Sequence, residues 1–94
     1  MNAVVHQPQN LRFALIETDD TAEITYELAG NTVIITHTFV PTAWRGRGVA
    51  STLARTLLDW VAKEDRTVES QCSYATTFLA RHAEYRHLQS SKSD

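Results

Sequence analysis

Arg45, Gly46, Arg47 and Gly48 stand between a β-branched segment ending at Phe39-Val40-Pro41 and an apolar-periodic segment opening at Val49-Ala50. Residues of these types at such a junction can hold an anion. Glycines let backbone amides approach a ligand with no Cβ in the way, and the helix that follows aims its unpaired N–H groups and positive dipole end at the same place. Two guanidinium groups beside those donors suit a pyrophosphate better than a lone carboxylate. The plainer reading is an ordinary loop with a helix cap; the agreement of glycines, cations and topology favours the anion site.

Cys72 closes a short strand-like segment and precedes a second helical one, a position where the helix dipole favours thiolate. The chemical reading is a thiol that takes part in group transfer or touches the reacting atoms; the bland one is a small, inert, buried residue. His37 lies in a β-branched run, where it is either a proton acceptor or relay for an incoming ammonium, or a hydrogen-bonded histidine on a sheet face. Tyr74 neighbours Cys72 and either stacks on a ligand or packs on the sheet. Trp44 reads as an anchor for the glycine turn and Trp60 as a partly buried core residue. His82 and His87 are five apart, about 140° round a helix, so they are not a helical metal pair and read as surface residues. No metal site is expected.

These side chains need a frame. Leu11, Phe13 and Leu15 alternate with Arg12 and Ala14, and after an Asp19-Asp20-Thr21 turn Ile24, Tyr26 and Leu28 alternate with Thr25 and Glu27, which predicts a hairpin. Gly30-Asn31 reverses the chain into a third strand over 32–40, ended by Pro41, with Val33, Ile35, His37 and Phe39 on one face. From Gly48 to about Lys63, apolar residues recur at three- and four-residue spacing, predicting the main helix. Thr67 to Cys72 reads as a fourth strand, parallel to the third because a helix connects them. Ser73 is read as the cap of a helix from Tyr74 to about Arg81, with a further short helical piece over His82–Leu88. Residues 1–9 read as a ragged lead-in or short edge segment, with order beginning near Leu11, and Ser90–Asp94 as a fraying end.

Ninety-four residues with a formal charge of -2 bound the rest. A chain of this length holds one domain with a small core, expected to span 1–94 and to be ordered over about 9–89. There is no general basic field for nucleic acid, so Arg45, Arg47 and Arg55 are weak evidence for such a partner. The lack of a long apolar run and of a signal-like start predicts a cytoplasmic protein without a membrane partner, and the single cysteine excludes an internal disulfide.

The order β-β-β-turn-α-β-α, with Arg45-Gly46-Arg47-Gly48-Val49-Ala50 after the third strand, resembles the GNAT superfamily of acyl-CoA-dependent N-acyltransferases and fits its Arg/Gln-x-x-Gly-x-Gly/Ala signature. His37-Thr38, Trp44 to Ala50, Cys72-Ser73-Tyr74 and His82-Ala83-Glu84-Tyr85 together resemble the small, single-domain YjdJ-like members, over about Leu11 to Leu88. Relatives often have Pro where this chain has Ser70 and Ala83.

The resemblance implies an α/β (α+β) fold, a mostly antiparallel sheet whose parallel third and fourth strands splay apart around acetyl-CoA or coenzyme A. The pyrophosphate would sit on Arg45, Gly46, Arg47, Gly48, Val49 and Ala50. The pantetheine arm would run along Phe39 and Val40, with Tyr74 beside it, and a backbone amide near Phe39 would polarise the thioester carbonyl. It further implies an N-acetyltransferase acting on a primary amine of a small molecule or protein, in a monomer or weak homodimer. His37 would take the ammonium proton and Cys72 would serve the leaving thiolate. Covalent transfer through Cys72, and a non-catalytic acyl-CoA-binding module, are the alternatives.

Overall fold

The computed structural model describes residues 3–90; of the fraying expected over Ser90–Asp94, Ser90 instead donates its N–H to Val68 O at 2.9 Å, and residues 91–94 lie outside the described residues. Five strands and two α-helices follow the chain: β1 (Val5–Gln7), β2 (Arg12–Glu17), β3 (Asp20–Ala29), β4 (Thr32–Phe39), α1 (Val49–Lys63), β5 (Thr67–Ser70) and α2 (Ser73–Arg81), with 3₁₀ turns at Pro8–Asn10, Thr42–Trp44 and Ala83–Leu88. The sheet runs β1-β2-β3-β4-β5, antiparallel throughout except for the parallel β4–β5 pair. The α/β class, the predominance of antiparallel pairing and the one parallel pair are as the sequence predicts.

The departures are local. The first hairpin turns at Thr18-Asp19, because Asp20 already pairs with Glu17 and Thr21 with Ile16. The amino-terminal stretch contributes an edge strand, β1, and therefore enters the sheet before Leu11. The fourth predicted strand stops at Ser70, two residues early, and Cys72 is the N-cap of α2 where Ser73 was expected; Ser73 is the first helical residue. Gly30 alone in the two-residue turn between β3 and β4 has positive φ (60°), the sign pattern of a II′ turn, and glycine supplies it without strain.

One departure governs the site. Pairing passes from Tyr26↔Ile35 to Thr25↔His37, leaving Thr36 as an extra residue in β4. This bulge breaks the period-two alternation. Val33 and Ile35 lie in the core, but His37 pairs with Thr25 and Phe39 with Glu23 on the opposite face, so the expected single face of Val33, Ile35, His37 and Phe39 does not form. Thr38 moves instead to the core face, opposite the buried Ile24.

The core lies between that face and the helices. Leu53, Ala54, Leu57, Leu58 and Val61 of α1 meet Phe13, Ile24, Val33 and Ile35, and Ala75, Phe78 and Leu79 of α2 join the same cluster. Arg55 of α1 stacks on Phe78 of α2, 5.6 Å from the ring centroid, and both helices share one side of the sheet.

β1 is fastened by His6. Its ring stacks on Phe13 at 4.0 Å between centroids, meets the edge of Trp60 at 4.7 Å, and its Nε2 is 2.7 Å from the Tyr26 hydroxyl. Burial lowers the His6 pKa from its ordinary 6.5. The unfolded chain therefore takes up this proton more readily than the folded one, so the contribution is complete above about pH 6.5 and is lost as the pH falls through the lowered folded value. The neighbouring Tyr26 phenol is held protonated by burial, and Arg66 lies over the far ring, Trp60. Thermal melts between pH 7.5 and 5 should show the melting temperature dropping on acidification, and His6→Phe, which keeps the stack without the titration, should flatten that slope. Equal slopes in both proteins would remove His6 from the pH response.

Candidate functional site

Val49 begins α1 because Gly48 can take the left-handed conformation (φ 74°) that turns the chain into the helix. Gly46 also has positive φ (85°), and a Cβ built at either glycine would meet no atom within 4 Å. Both therefore face open space. Gly48 offers no side-chain cap, and the first helical hydrogen bond runs from Thr52 N–H to Gly48 O, which leaves the amides of the first turn without a side-chain acceptor. A cleft of about 300 Å³ opens here. Arg45, Gly46, Gly48, Val49, Ala50 and Ser51 line it together with Val40, Trp44 and Tyr74.

Arg47 does not line this cleft. Its guanidinium lies over the Trp44 ring, 5.5 Å from the centroid, and reaches Glu17 at 3.5 Å on the other side of the turn. The turn thus carries one arginine on each side. A second, larger cavity of about 610 Å³ adjoins Arg47, lined by Val4, by Leu15 of β2 and by Thr52 and Thr56 of α1.

At the other end of the cleft the sheet opens. β4 and β5 pair in register only from Thr32↔Thr67 to Ile35↔Ser70, with a last bond from Gln71 N–H to Ile35 O at 2.8 Å. β4 continues to Phe39 while the other chain turns into α2. Across this gap Thr38 Oγ1 lies 3.4 Å from Cys72 Sγ. The half-buried Cys72 thiol is the chemically distinctive group of the gap. Desolvation pushes its pKa up, but the Thr38 hydroxyl, the amides of Ala75 and Tyr74 at the start of α2, and the Thr38 amide together outweigh that and leave it below the ordinary thiol value. No capping hydrogen bond to the sulfur completes; the amides act on it by facing it.

Tyr74 joins the two regions, since it lines the cleft and follows Cys72 by two residues. Burial raises its pKa, Arg55 opposes this and the thiolate form of Cys72 adds to it, so the phenol stays protonated at neutral pH. Phe39 is 46% exposed and lies with His37 on the opposite sheet face, outside the cleft. The structure therefore brings together Val40, Arg45, the two glycines, Val49, Ala50 and Tyr74, and places Cys72 by Thr38; His37, Phe39 and the Arg47 side chain lie apart.

Thr38 and Ser51 escape a reading of the sequence in different ways. Ser51, third in the helix, carried a legible signal, because it belongs to the first turn of α1, next to the glycine turn. Thr38 carried none in the alternation, which a bulge inverts. Among the described residues, no group of three or more His, Cys, Asp or Glu side chains could hold a metal, and no helix is long and apolar enough to cross a membrane.

Comparison with known proteins agrees with this geometry. A family model described as GCN5-related N-acetyl-transferase matches residues 12–88. Protein NATD1 of Mus musculus is 37% identical over 79 residues, covering 81% of this chain and 72% of that one. Protein NATD1 of Danio rerio is 34% identical over 89 residues, covering 92% and 81% respectively. The Bos taurus protein of the same name is 41% identical over 61 residues, or 64% of this chain, and the match spans only about half, 54%, of that relative. In three dimensions, the solution structure of a GCN5-like protein from Staphylococcus aureus superposes with a TM-score of 0.76 over 93% of this chain and 86% of that one, at 22% identity, which establishes likeness of fold.

Proposed function

Because the chain belongs to the GCN5-related N-acetyltransferase family, we propose that it is an acetyl-CoA-dependent N-acetyltransferase that acetylates a primary amine by direct attack. The observation that carries the proposal is the separation of β4 from β5 beyond Ile35 and Ser70, which makes a gap with Cys72 and Thr38 at one end and the glycine turn at the other. Acetyl-CoA supplies an acetyl thioester, and the residues present suit it. Space beside Gly46 and Gly48, uncapped helix amides and Arg45 fit a diphosphate, and the apolar walls Val40 and Trp44 fit an uncharged arm.

Each residue then has a task in the proposed reaction. The Thr38 amide, which faces the gap, donates to the carbonyl oxygen as negative charge develops there, a type of contact worth about 3 to 4 kcal/mol. As the amine nitrogen bonds to the carbonyl carbon, the carbon–sulfur bond breaks and the amine gives up a proton. Cys72 supplies a proton to the departing thiolate, with the protonated Tyr74 phenol on the neighbouring wall. His37, on the other sheet face, is assigned to the acceptor side as relay for the ammonium proton. The Arg47 backbone belongs to the pyrophosphate turn, and Phe39 flanks the arm through its main chain.

Calorimetry with coenzyme A tests the reading. Gly48→Asp puts bulk and negative charge where the diphosphate would lie, in a backbone conformation that favours glycine. Affinity should fall by about tenfold or more, the effect of roughly 1.4 kcal/mol. Native protein that takes up no coenzyme A at high micromolar concentration, or a variant that binds as well as native, would overturn it.

A further inference from the structure

Ser70 is the last residue of β5 to pair with β4, and its hydroxyl is used three times. It donates to the Cys72 carbonyl at 2.8 Å, accepts from the Cys72 amide at 3.2 Å, and accepts from the Thr76 hydroxyl at 2.9 Å. The Cys72 carbonyl also accepts the first helical bond of α2, from Thr76 N–H at 2.9 Å. One oxygen therefore ties the end of a strand to both backbone groups of the next residue but one and to the first turn of the following helix. A hydroxyl has one proton to give and two lone pairs to offer, so this site is fully used.

We propose that Ser70 is the positioning residue for Cys72: its hydroxyl fixes the corner between β5 and α2 so that the thiol faces Thr38 across the gap. Held at both its N–H and its C=O, Cys72 keeps the extended N-cap conformation (φ -110°, ψ 128°). That conformation puts Sγ within 3.4 Å of Thr38 Oγ1 and in front of the first amides of α2. Without the clamp, the peptide linking strand to helix is held only by the Gln71 bond to Ile35 on one side and the helix on the other. The thiol would then sample other rotations and lose donors that favour its anionic form. The chemistry of the corner is thus divided. Thr38 and the helix amides act on the sulfur directly, while Ser70 acts through the backbone and touches no reacting atom.

This inference rests on the reading of Cys72 as part of the site, but its test needs neither cofactor nor acceptor. Cys72 is the only thiol of the chain, so the rate of its alkylation by iodoacetamide against pH reports its environment alone. The groups that bear on the sulfur are Thr38 from β4 and Tyr74 from α2, the latter under the influence of Arg55 from α1. Tyr74 stays protonated through the neutral range and does not obscure the profile.

Ser70→Ala should move the midpoint of alkylation to higher pH and lower the rate at pH 7 by about fivefold, the effect of one ordinary hydrogen bond. Ser70→Thr keeps the hydroxyl on a residue suited to a strand and should restore the native profile. Thr76→Val removes one partner of the same oxygen from the exposed side of α2. It should shift the profile in the same direction by less, and it serves as the measure if Ser70→Ala does not fold. A Ser70→Ala protein that melts as native and alkylates with the native pH profile would overturn the assignment, as would a Ser70→Thr protein as impaired as the alanine variant or a Thr76→Val protein with an unchanged profile. If coenzyme A binding fails while these shifts appear, the proposed activity falls and the positioning role stands.

Discussion

Leu57→Asp abolishes cooperative folding, read as loss of the thermal transition by circular dichroism. Leu57 is fully buried in α1, against the sheet. Removing a buried leucine side chain alone costs about 2 to 5 kcal/mol. An unpaired carboxylate in its place adds a desolvation penalty of several kcal/mol more. A domain of this size holds only about 5 to 14 kcal/mol in total. The two costs together exhaust it. Leu57→Met conserves volume and polarity, and should stay within about 1.5 kcal/mol of native. An aspartate variant that melts within a few degrees of native would mean that this face of α1 does not carry the core.

The second large effect concerns Cys72 and separates direct from covalent transfer. In the proposed mechanism, Cys72→Ala leaves coenzyme A affinity nearly unchanged, because the thiol lies beyond the cleft formed by the turn, and lowers turnover of an amine acceptor by about 100-fold, the lower end of general-acid contributions. Cys72→Ser should be the milder change, since a hydroxyl by Thr38 can still pass a proton. A serine variant as damaged as alanine, together with an added acetyl group on Cys72 by intact-mass spectrometry, would replace direct attack with an acetyl-cysteine route. Full turnover in the alanine variant would remove the thiol from the chemistry and leave backbone polarisation and His37 to carry it.

The sequence was most legible where a period ran uninterrupted. The three- and four-residue spacing from Val49 to Val61 located α1 to within a residue at its start, and Gly30-Asn31 located its turn, because each pattern has one inexpensive backbone solution. The glycine turn was legible for the same reason: Gly46 and Gly48 occupy conformations that other residues enter at a cost. Beyond Ile35 the period ceased to inform. Nothing in Thr36-His37-Thr38 announces that one residue will be left over, since an inserted residue changes every later face without changing a side chain. His37 and Thr38 therefore exchanged places relative to the alternation. Arg47 was misleading in another way, because sequence proximity to a glycine turn does not say on which side of the chain a long side chain will find its partners, here Trp44 and Glu17. The three uses of the Ser70 hydroxyl depend on a corner two residues long, below the resolution of any periodic signal.

The sheet is threaded in the same order in which the chain is written. Its antiparallel joints are therefore made between chain neighbours, β2 with β3 and β3 with β4 across short turns, and little chain entropy is spent in closing them. The parallel joint is different in kind: Thr32 meets Thr67 only after the whole of α1 has been laid between them. The non-local part of the topology is concentrated in that one seam, where slow contact formation is the rule. It is also the seam that parts after Ile35 to make the gap. The gap is thus not carved into a finished scaffold; it is the unfastened end of the longest closure in the sheet.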